Sequence, residues 1–493
     1  MMNLRLQPAF YSAIVATVLL SGCRVGPRYH VPPATAQAPP ATYKESPTQF
    51  KDTDGWKVAE PQDAMLRGKW WEIYNDPELN ALEEQLNVNN QNIKISFQNF
   101  MAARAIVREA HAQLFPILGT SPSYQRSASS ANLKNSTGTN GTSAGQKSTL
   151  ISLPFDVSWE PDLWGRIRNT ISEEQFNAQL SAADLENERL TEQASLAVFF
   201  FELRGQDALQ ELLTATIAAD EKALEYNRAR YETGVGDQIS VVEAQNTLQN
   251  AQSQAVNLGV ARAQYEHAIA VLIGTNPSSF SIPVRPLNAK PPAIPLGMPS
   301  QLLERRPDIA ASERAMAAAN AQIGIADAAF YPNLTLSASG GFNSSTFKHL
   351  FDWPSRFWSV GPAFSETLFD AGLRRATVQQ YTAVYNANVA NYRQTVLTAF
   401  QQVEDSLASV RILSQQILKQ QEAAQSAEQF VALETARYQT GIDPYVNVVT
   451  AQTTLLNDQQ TLANLRTQAM TSSVQLIKAL GGGWDRTQLP TPA

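Results

Sequence analysis

The chain has 493 residues, 43% of them hydrophobic and 17% charged, with 38 Lys and Arg against 45 Asp and Glu and a formal charge of −7. That length and apolar content exclude a disordered chain and suffice for a large core. The charges form no basic stripe, and one cysteine and four histidines show no finger-type spacing, so the sequence holds nothing with which to read nucleic acid.

Arg5 precedes an apolar run over 9–20, broken only by Ser12 and Thr17, and then comes Leu20-Ser21-Gly22-Cys23. A run of about twelve residues is too short for the roughly twenty of a membrane span and reads as an export signal. Leu-Ser-Gly-Cys resembles the bacterial lipobox, which implies cleavage after residue 22 and a lipid-modified, palmitate-bearing Cys23. A signal peptide with an incidental cysteine is the alternative. With Cys23 acylated, no thiol is left for a disulfide or a metal. No later stretch approaches the roughly eighteen apolar residues of a helical span, so any membrane crossing has to be made by strands.

Residues 24–76 are rich in Pro and polar residues and read as an irregular segment laid over something else, pinned by Trp70 and Trp71. Residues 79–115 are helical in composition, and Pro116 ends them. The period then changes to two. Ile151, Leu153, Phe155, Val157 and Trp159 alternate with Ser152, Pro154, Asp156, Ser158 and Glu160, which puts the apolar side chains on one face. Leu334, Leu336, Ala338, Gly340 and Phe342 do the same later, as do Trp358, Val360, Pro362, Phe364 and Leu368. Strands are expected over 117–127, 149–160, 333–343 and 357–368, each near the roughly nine to eleven residues of a tilted membrane strand. The polar stretches 129–148 and 344–356 read as outer loops. Trp159, Trp164 and Phe369 gather near the opposite strand ends, where they suit a membrane-water interface or the core of a strand-helix junction.

Two stretches organise the rest. Residues 166–231 contain no proline and the single glycine Gly205, and 373–438, 207 positions on, contain neither. Each reads as one helix of about 100 Å. Both end in Ala-Arg-Tyr-x-Thr-Gly, with Gly234 and Gly441 as C-caps, and eleven of the twenty residues from Ala229 to Leu248 recur 207 positions later. The chain is a tandem duplication. In the first long helix Ile167, Ile171, Ala178, Ala182, Leu185, Leu196, Phe200 and Leu203 form a coiled-coil-like seam.

The helices after the two turns, 239–273 and 445–480, are half as long as those before. The helices entering the strands, 79–115 and 307–331, supply the missing half, so each long helix is expected beside two short ones stacked end to end. The breaks fall at mid-height, where irregular segments form a belt. The divisions are therefore 1–22, a lipoprotein signal peptide; 23–78, a lipid-anchored segment and part of the belt; 79–274, the first repeat; 275–304, a Pro-rich equatorial linker; 305–480, the second repeat; and 481–493, an equatorial tail. Within them Arg305-Arg306-Pro307-Asp308 reads as a structural helix start at mid-height. Four strands cannot close a barrel in lipid, so spanning strands require an oligomer, a dimer of eight or a trimer of twelve.

These residues resemble the outer-membrane factor family, the TolC/OprM-type ducts, and its lipoprotein branch. The resemblance covers essentially the whole mature chain. It rests on Cys23 followed by Val25-Gly26-Pro27, on Trp159-Glu160-Pro161-Asp162-Leu163-Trp164-Gly165-Arg166, on Leu303-Glu304-Arg305-Arg306-Pro307-Asp308-Ile309, and on Leu368-Phe369-Asp370-Ala371-Gly372. It implies a mainly α protein with a membrane β-barrel: a homotrimer whose twelve-stranded barrel in outer-membrane lipid continues as a helical tunnel through the periplasm. It also implies passive conduction of small molecules from an inner-membrane pump, of RND type, through a periplasmic adaptor, with no chemistry and no cofactor beyond the lipid on Cys23.

A duct needs a seal and a docking surface at its free tip. Asp443, just past the second turn, is the gate candidate that the resemblance implies; it can equally cap the following helix with Pro444 in the first helical position. Asp237 is the second gate candidate, although it falls one residue later after its glycine than Asp443 does, so the two are not equivalent. Arg230, Tyr231, Arg437 and Tyr438 either bridge neighbouring helices to hold the tip shut or are ordinary turn surface. Gly234 and Gly441, lacking Cβ, suit close approach of an adaptor. His30, His111, His267 and His349 share no ligand spacing, and no phosphate loop or nucleophile elbow occurs, so the chain is not read as an enzyme. Two rivals stay open: an exit duct for protein secretion, and a periplasmic lipoprotein that is a spacer without a pore.

Overall fold

The computed structural model describes residues 23–35, 43–45, 68–128, 130, 147–294 and 302–483. The expected signal peptide, most of the first outer loop and most of the C-terminal tail lie outside the described residues.

Among the described residues, seven helices of 13 residues or more and five strands carry the fold. Helices α1 (Pro77–Asn89) and α2 (Gln91–Ala112) lead into strands β1 (Ile117–Thr120), β2 (Ser123–Ala128) and β3 (Lys147–Trp159). Helix α3 (Arg166–Glu232) then runs 67 residues, turns, and is followed by α4 (Gln238–Leu272). The second copy repeats this with α5 (Pro307–Ala328), β4 (Asn333–Ser344), β5 (Arg356–Ser365), α6 (Leu373–Gln439, again 67 residues) and α7 (Tyr445–Ala479).

The stretch 79–115 is not one helix. It breaks at Asn90, whose side chain accepts from Ile93 N at 3.0 Å to cap α2 and donates to the carbonyl of Leu272, at the end of α4, at 2.9 Å. Helix α2 is therefore 22 residues, the same length as α5. The strand expected over 117–127 is likewise interrupted, at Ser121-Pro122, because proline has no N–H for the ladder.

The long helix α3 packs against α2 and α4 on one side and α5 and α7 on the other, and α6 packs on α5 and α7. All eight seam residues of α3 are buried. Gly205 lets α7 approach α3 closely: a Cβ there would run into the side chain of Thr467. The largest buried cluster sits at mid-height. It joins Trp70, Trp71 and Leu79 to Phe200 and Leu203 of α3, Ile282 and Ile294 of the linker, Leu407 of α6 and Val474 of α7.

Buried ions fasten the linker there. Asp207 receives Arg204 at 3.1 Å, Arg262 at 2.7 Å and the backbone N–H of Arg285 at 2.9 Å. Arg204 also pairs with Glu78 of α1 and donates to the carbonyl of Pro283 at 2.6 Å. Arg411, the counterpart of Arg204 on α6, pairs with Glu45 of the N-terminal segment at 2.7 Å. Upstream, that segment runs along α3 and α5. Val25 N donates to the carbonyl of Trp164 at 3.1 Å, Asn320 donates to the carbonyl of Pro27 at 3.0 Å, and the Tyr29 hydroxyl donates to Glu313 at 2.8 Å.

The strands form one antiparallel sheet in the order β1/β2, β3, β4, β5. Its register is regular, so each face can be read across. Leu118, Leu153, Phe155, Val157, Trp159, Leu334, Leu336, Ala338, Phe342, Trp358, Val360 and Phe364 share one face, while Ser123, Gln125, Ser152, Asp156, Ser337, Ser339 and Ser359 share the other. The sheet is open, with β1/β2 and β5 as free edges. Below those edges the outer columns α2 and α6 expose Ile95, Phe97, Met101, Leu397, Leu418 and Leu433. No described helix is long and apolar enough to cross a membrane.

Candidate gate and membrane face

The two hairpin tips are built alike. Thr233 N and Thr440 N each donate to the alanine carbonyl four residues back at 3.1 Å, and Gly234 and Gly441 both take φ +76°. A residue with Cβ is strained there, which accounts for the repeated glycine. The next side chains, Val235 and Ile442, are 71% and 64% exposed, so each tip presents an apolar residue beside a bare backbone.

The copies then diverge. Asp443 does not cap α7. Pro444 stands at the cap position, and Asp443 instead holds Arg437 through two hydrogen bonds, the longer at 3.2 Å. Hydrogen bonding from Arg437 keeps the Asp443 carboxyl below the usual carboxylate range. The capping aspartate is Asp237, which accepts from Ser240 N at 2.7 Å, a bond that also lowers its pKa.

The residue 207 positions before Asp443 is Gly236, so Arg230 lacks the carboxylate that Arg437 has. Arg230 crosses to the other hairpin, donating to the carbonyl of Tyr438 at 3.3 Å with its guanidinium 4.7 Å from the Tyr438 ring. Tyr438 is buried and donates to Asn227 of α3 at 2.5 Å. Beneath it Leu224, Leu248, Tyr445 and Val448 close a small core. Of the four bridging candidates, Arg230 and Tyr438 thus join the two hairpins, Arg437 ties its own hairpin together, and Tyr231 is half exposed at the surface. Sequence reading missed Asn227; its place one helical turn before Arg230 was the available signal.

At the other end, Trp164 stacks on Tyr331 at 4.8 Å and donates to the carbonyl of Pro332 at 2.8 Å, so it holds the strand-helix junction. Leu368 and Phe369 are 91% and 85% exposed at the same level. Cys23 is exposed, two residues before the contact of Val25 with this junction. Among the described residues no cluster of His, Cys, Asp and Glu could hold a metal ion.

An open sheet with one apolar and one polar face, fed and drained by helices about 100 Å long, describes one sector of a membrane duct. The family model for outer membrane efflux proteins matches residues 82–275 and 298–482, and the chain belongs to that family. It is 32% identical over 476 residues to the probable efflux pump outer membrane protein TtgC of Pseudomonas putida, covering 96% of this chain and 95% of that one. It is 29% identical over 488 residues to the outer membrane protein OprJ of Pseudomonas aeruginosa, covering 97% of each. The solved outer-membrane channel OprN superposes with a TM-score of 0.84 at 25% identity over 94% of this chain and 100% of that one.

Proposed function

We propose that the chain is the outer-membrane exit duct of a tripartite efflux system, conducting small molecules passively from a periplasmic adaptor and an inner-membrane pump of RND type to the outside. Three copies closing edge to edge give a barrel of twelve strand positions with its apolar face in lipid and its serine-rich face lining the lumen. The observation that carries this reading is the continuity of the two-faced sheet with the long helices, whose outer columns and sheet edges are left open on the same two sides. A spacer without a pore has no use for a polar lumen face.

In this reading Cys23 carries the lipid anchor. Its position beside the strand-helix junction supports that, because acyl chains there enter the leaflet at the level where the barrel begins. The periplasmic seal consists of the Arg437–Asp443 pair and the Arg230–Tyr438–Asn227 link, and symmetry repeats each three times. Because Asp443 is paired, the constriction carries a ring of ion pairs rather than of bare carboxylates. Asp237 is assigned to the α4 cap and Tyr231 to the outer surface of the tip. Gly234 and Gly441, each followed by an exposed apolar residue, form the adaptor-docking tips. The belt comprises residues 43–45, 68–78 and the described part of 275–304, while residues 23–35 run from it to the strand-helix junction. The duct needs no cofactor, and the pump supplies the energy.

The test is intracellular accumulation of dyes, antibiotics and metal ions in cells with and without this protein, pump and adaptor intact. Raised accumulation of a defined set on deletion supports small-molecule efflux. An unchanged panel together with loss of a protein from the medium would establish a secretion duct instead.

A further inference from the structure

Outside the gate, the outer ends of the strands carry an excess of positive charge in an otherwise acidic chain. Residues 122–150 and 343–356 contain Arg126, Lys134, Lys147, Lys348 and Arg356 against the single acid Asp352. Asp352 is already engaged, 2.7 Å from His349 Nδ1. The regular register puts Arg126, Lys147 and Arg356 on the apolar face, not the lumen face: Arg126 pairs with Thr149, Lys147 with Ala128, and Arg356 with Phe342. Arg126 and Lys147 are diagonal neighbours across β2 and β3, close enough to repel unless an anion lies between them. Among the described residues neither they, nor Lys348, nor Arg356 has a carboxylate within ion-pair distance.

The β4–β5 loop folds over the same side. Phe351 meets Phe342 at 5.4 Å, and Phe347 stacks on Tyr124 of β2 at 6.0 Å, so the loop lies against the apolar face and leaves the lumen uncovered. The Arg356 guanidinium sits 3.6 Å over the Trp353 ring, which fixes its plane while leaving its N–H edges open. The loop is preorganised by buried Leu350, by Ser355 donating to the carbonyl of His349 at 2.7 Å, and by the His349–Asp352 contact. Its rings nonetheless stay in the open: Phe347, Phe351 and Trp353 are 69%, 68% and 75% exposed.

We infer that Arg126, Lys147, Lys348 and Arg356, with Phe347, Phe351 and Trp353, form a docking site on the outside of the barrel for a phosphorylated, multiply acylated lipid of the outer leaflet. This rests on the barrel reading above. Aromatic rings at the interface take the acyl-chain side and unpaired cations take the phosphates. Closure of the trimer brings Arg356 of one copy toward the β1/β2 edge of the next, so the cations continue around the rim.

The probe is bisphosphorylated hexa-acyl lipid A, compared with the same lipid after removal of both phosphates. Retention by the purified trimer is counted by native mass spectrometry. The wild-type trimer should hold the phosphorylated lipid at least tenfold more tightly than the dephosphorylated one. Millimolar inorganic phosphate should not displace it, and the quadruple variant R126S/K147S/K348S/R356S should lose the preference while keeping heat-modifiable trimer migration. Equal retention of the two lipids by wild type overturns the site and leaves the duct standing. So does displacement by inorganic phosphate, which marks a headgroup-only contact. If the wild-type chain forms no heat-modifiable trimer, the site and the barrel reading fall together. The wild-type comparison decides the matter even if the quadruple variant does not assemble.

Discussion

Arg306 donates to the carbonyl of Ala479 at 2.9 Å, and 207 residues before Ala479 the carbonyl of Leu272 accepts from Asn90 at the same distance. Each bond joins the last turn of one short helix to the first turn of the helix stacked on it. Each donor also reaches the long helix alongside: Arg306 donates to Gln402 at 2.8 Å and Asn90 to Glu192 at 3.0 Å. One donor is a neutral amide and the other a cation, which also holds Asp308 at 2.6 Å. In each repeat one side chain thus ties the stacked short helices to each other and to the long helix beside them.

Arg306→Ala should cost about 3 kcal/mol, because it leaves Asp308 and a helix-end carbonyl without their partner. Asn90→Ala should cost about 1 to 2 kcal/mol, the loss of a cap and of a buried amide. The temperature at which the trimer converts to monomer on heating checks both. Equal midpoints for variants and wild type would remove the joints from the account.

Asp207 is wholly buried between Arg204 and Arg262. Asp207→Ala should therefore cost about 3 kcal/mol and release the linker, because two cations lose the buried carboxylate they share and keep only the more exposed Glu78 and Glu266. Limited proteolysis would show this as new cleavage within 275–294. A double variant in which Arg204→Met accompanies Asp207→Ala should recover part of the loss.

Asp220 of α3 is buried near the tip, one carboxylate oxygen without a partner, and burial pushes its pKa up to about 6. Tyr445, Tyr438 and Glu243 are the titratable groups around this part of the tip core. A carboxyl whose folded pKa exceeds its unfolded value binds more protons folded than unfolded. Stability of the tip should therefore fall as pH rises from about 4 to 6 and level off above. Asp220→Asn should flatten that dependence and raise stability at pH 7 by up to about 2 kcal/mol. Hydrogen exchange of the tip amides at pH 5 and 7 reads the difference, and an unchanged pH profile in the variant would assign it elsewhere.

The long helices were legible almost to the residue, because sixty-six positions with hardly a Gly or Pro leave the backbone no other outlet. The strands were legible because period two survives on both faces from Ile151 to Trp159 and again from Leu334 to Phe342. The break at Asn90 was not: an asparagine in a helical stretch signals a cap only when a partner such as the Leu272 carbonyl, 182 residues away, is known. The linker clamp was hidden for the same reason, since Asp207 and Arg262 lie 55 positions apart. At the tip the turn phrase located the two hairpin turns, while Asp443-Pro444 was equally compatible with a cap, from which Arg437 draws the carboxylate away.

The most direct test of the duct and its seal is the conductance of purified trimers in a planar bilayer, wild type beside an Asp443→Ala, Arg437→Ala double variant. Hydrogen bonding from Arg437 holds the Asp443 carboxyl below the ordinary range, so the contribution of the pair is present at neutral pH and is lost as pH falls through that lowered value. At pH 7 wild type should show a small, steady conductance and the variant a severalfold larger one, and lowering the pH below the ordinary carboxylate range should move wild type toward the variant. Intact trimers that pass no current in either form would contradict the duct. A variant conductance equal to wild type would remove Asp443 and Arg437 from the gate.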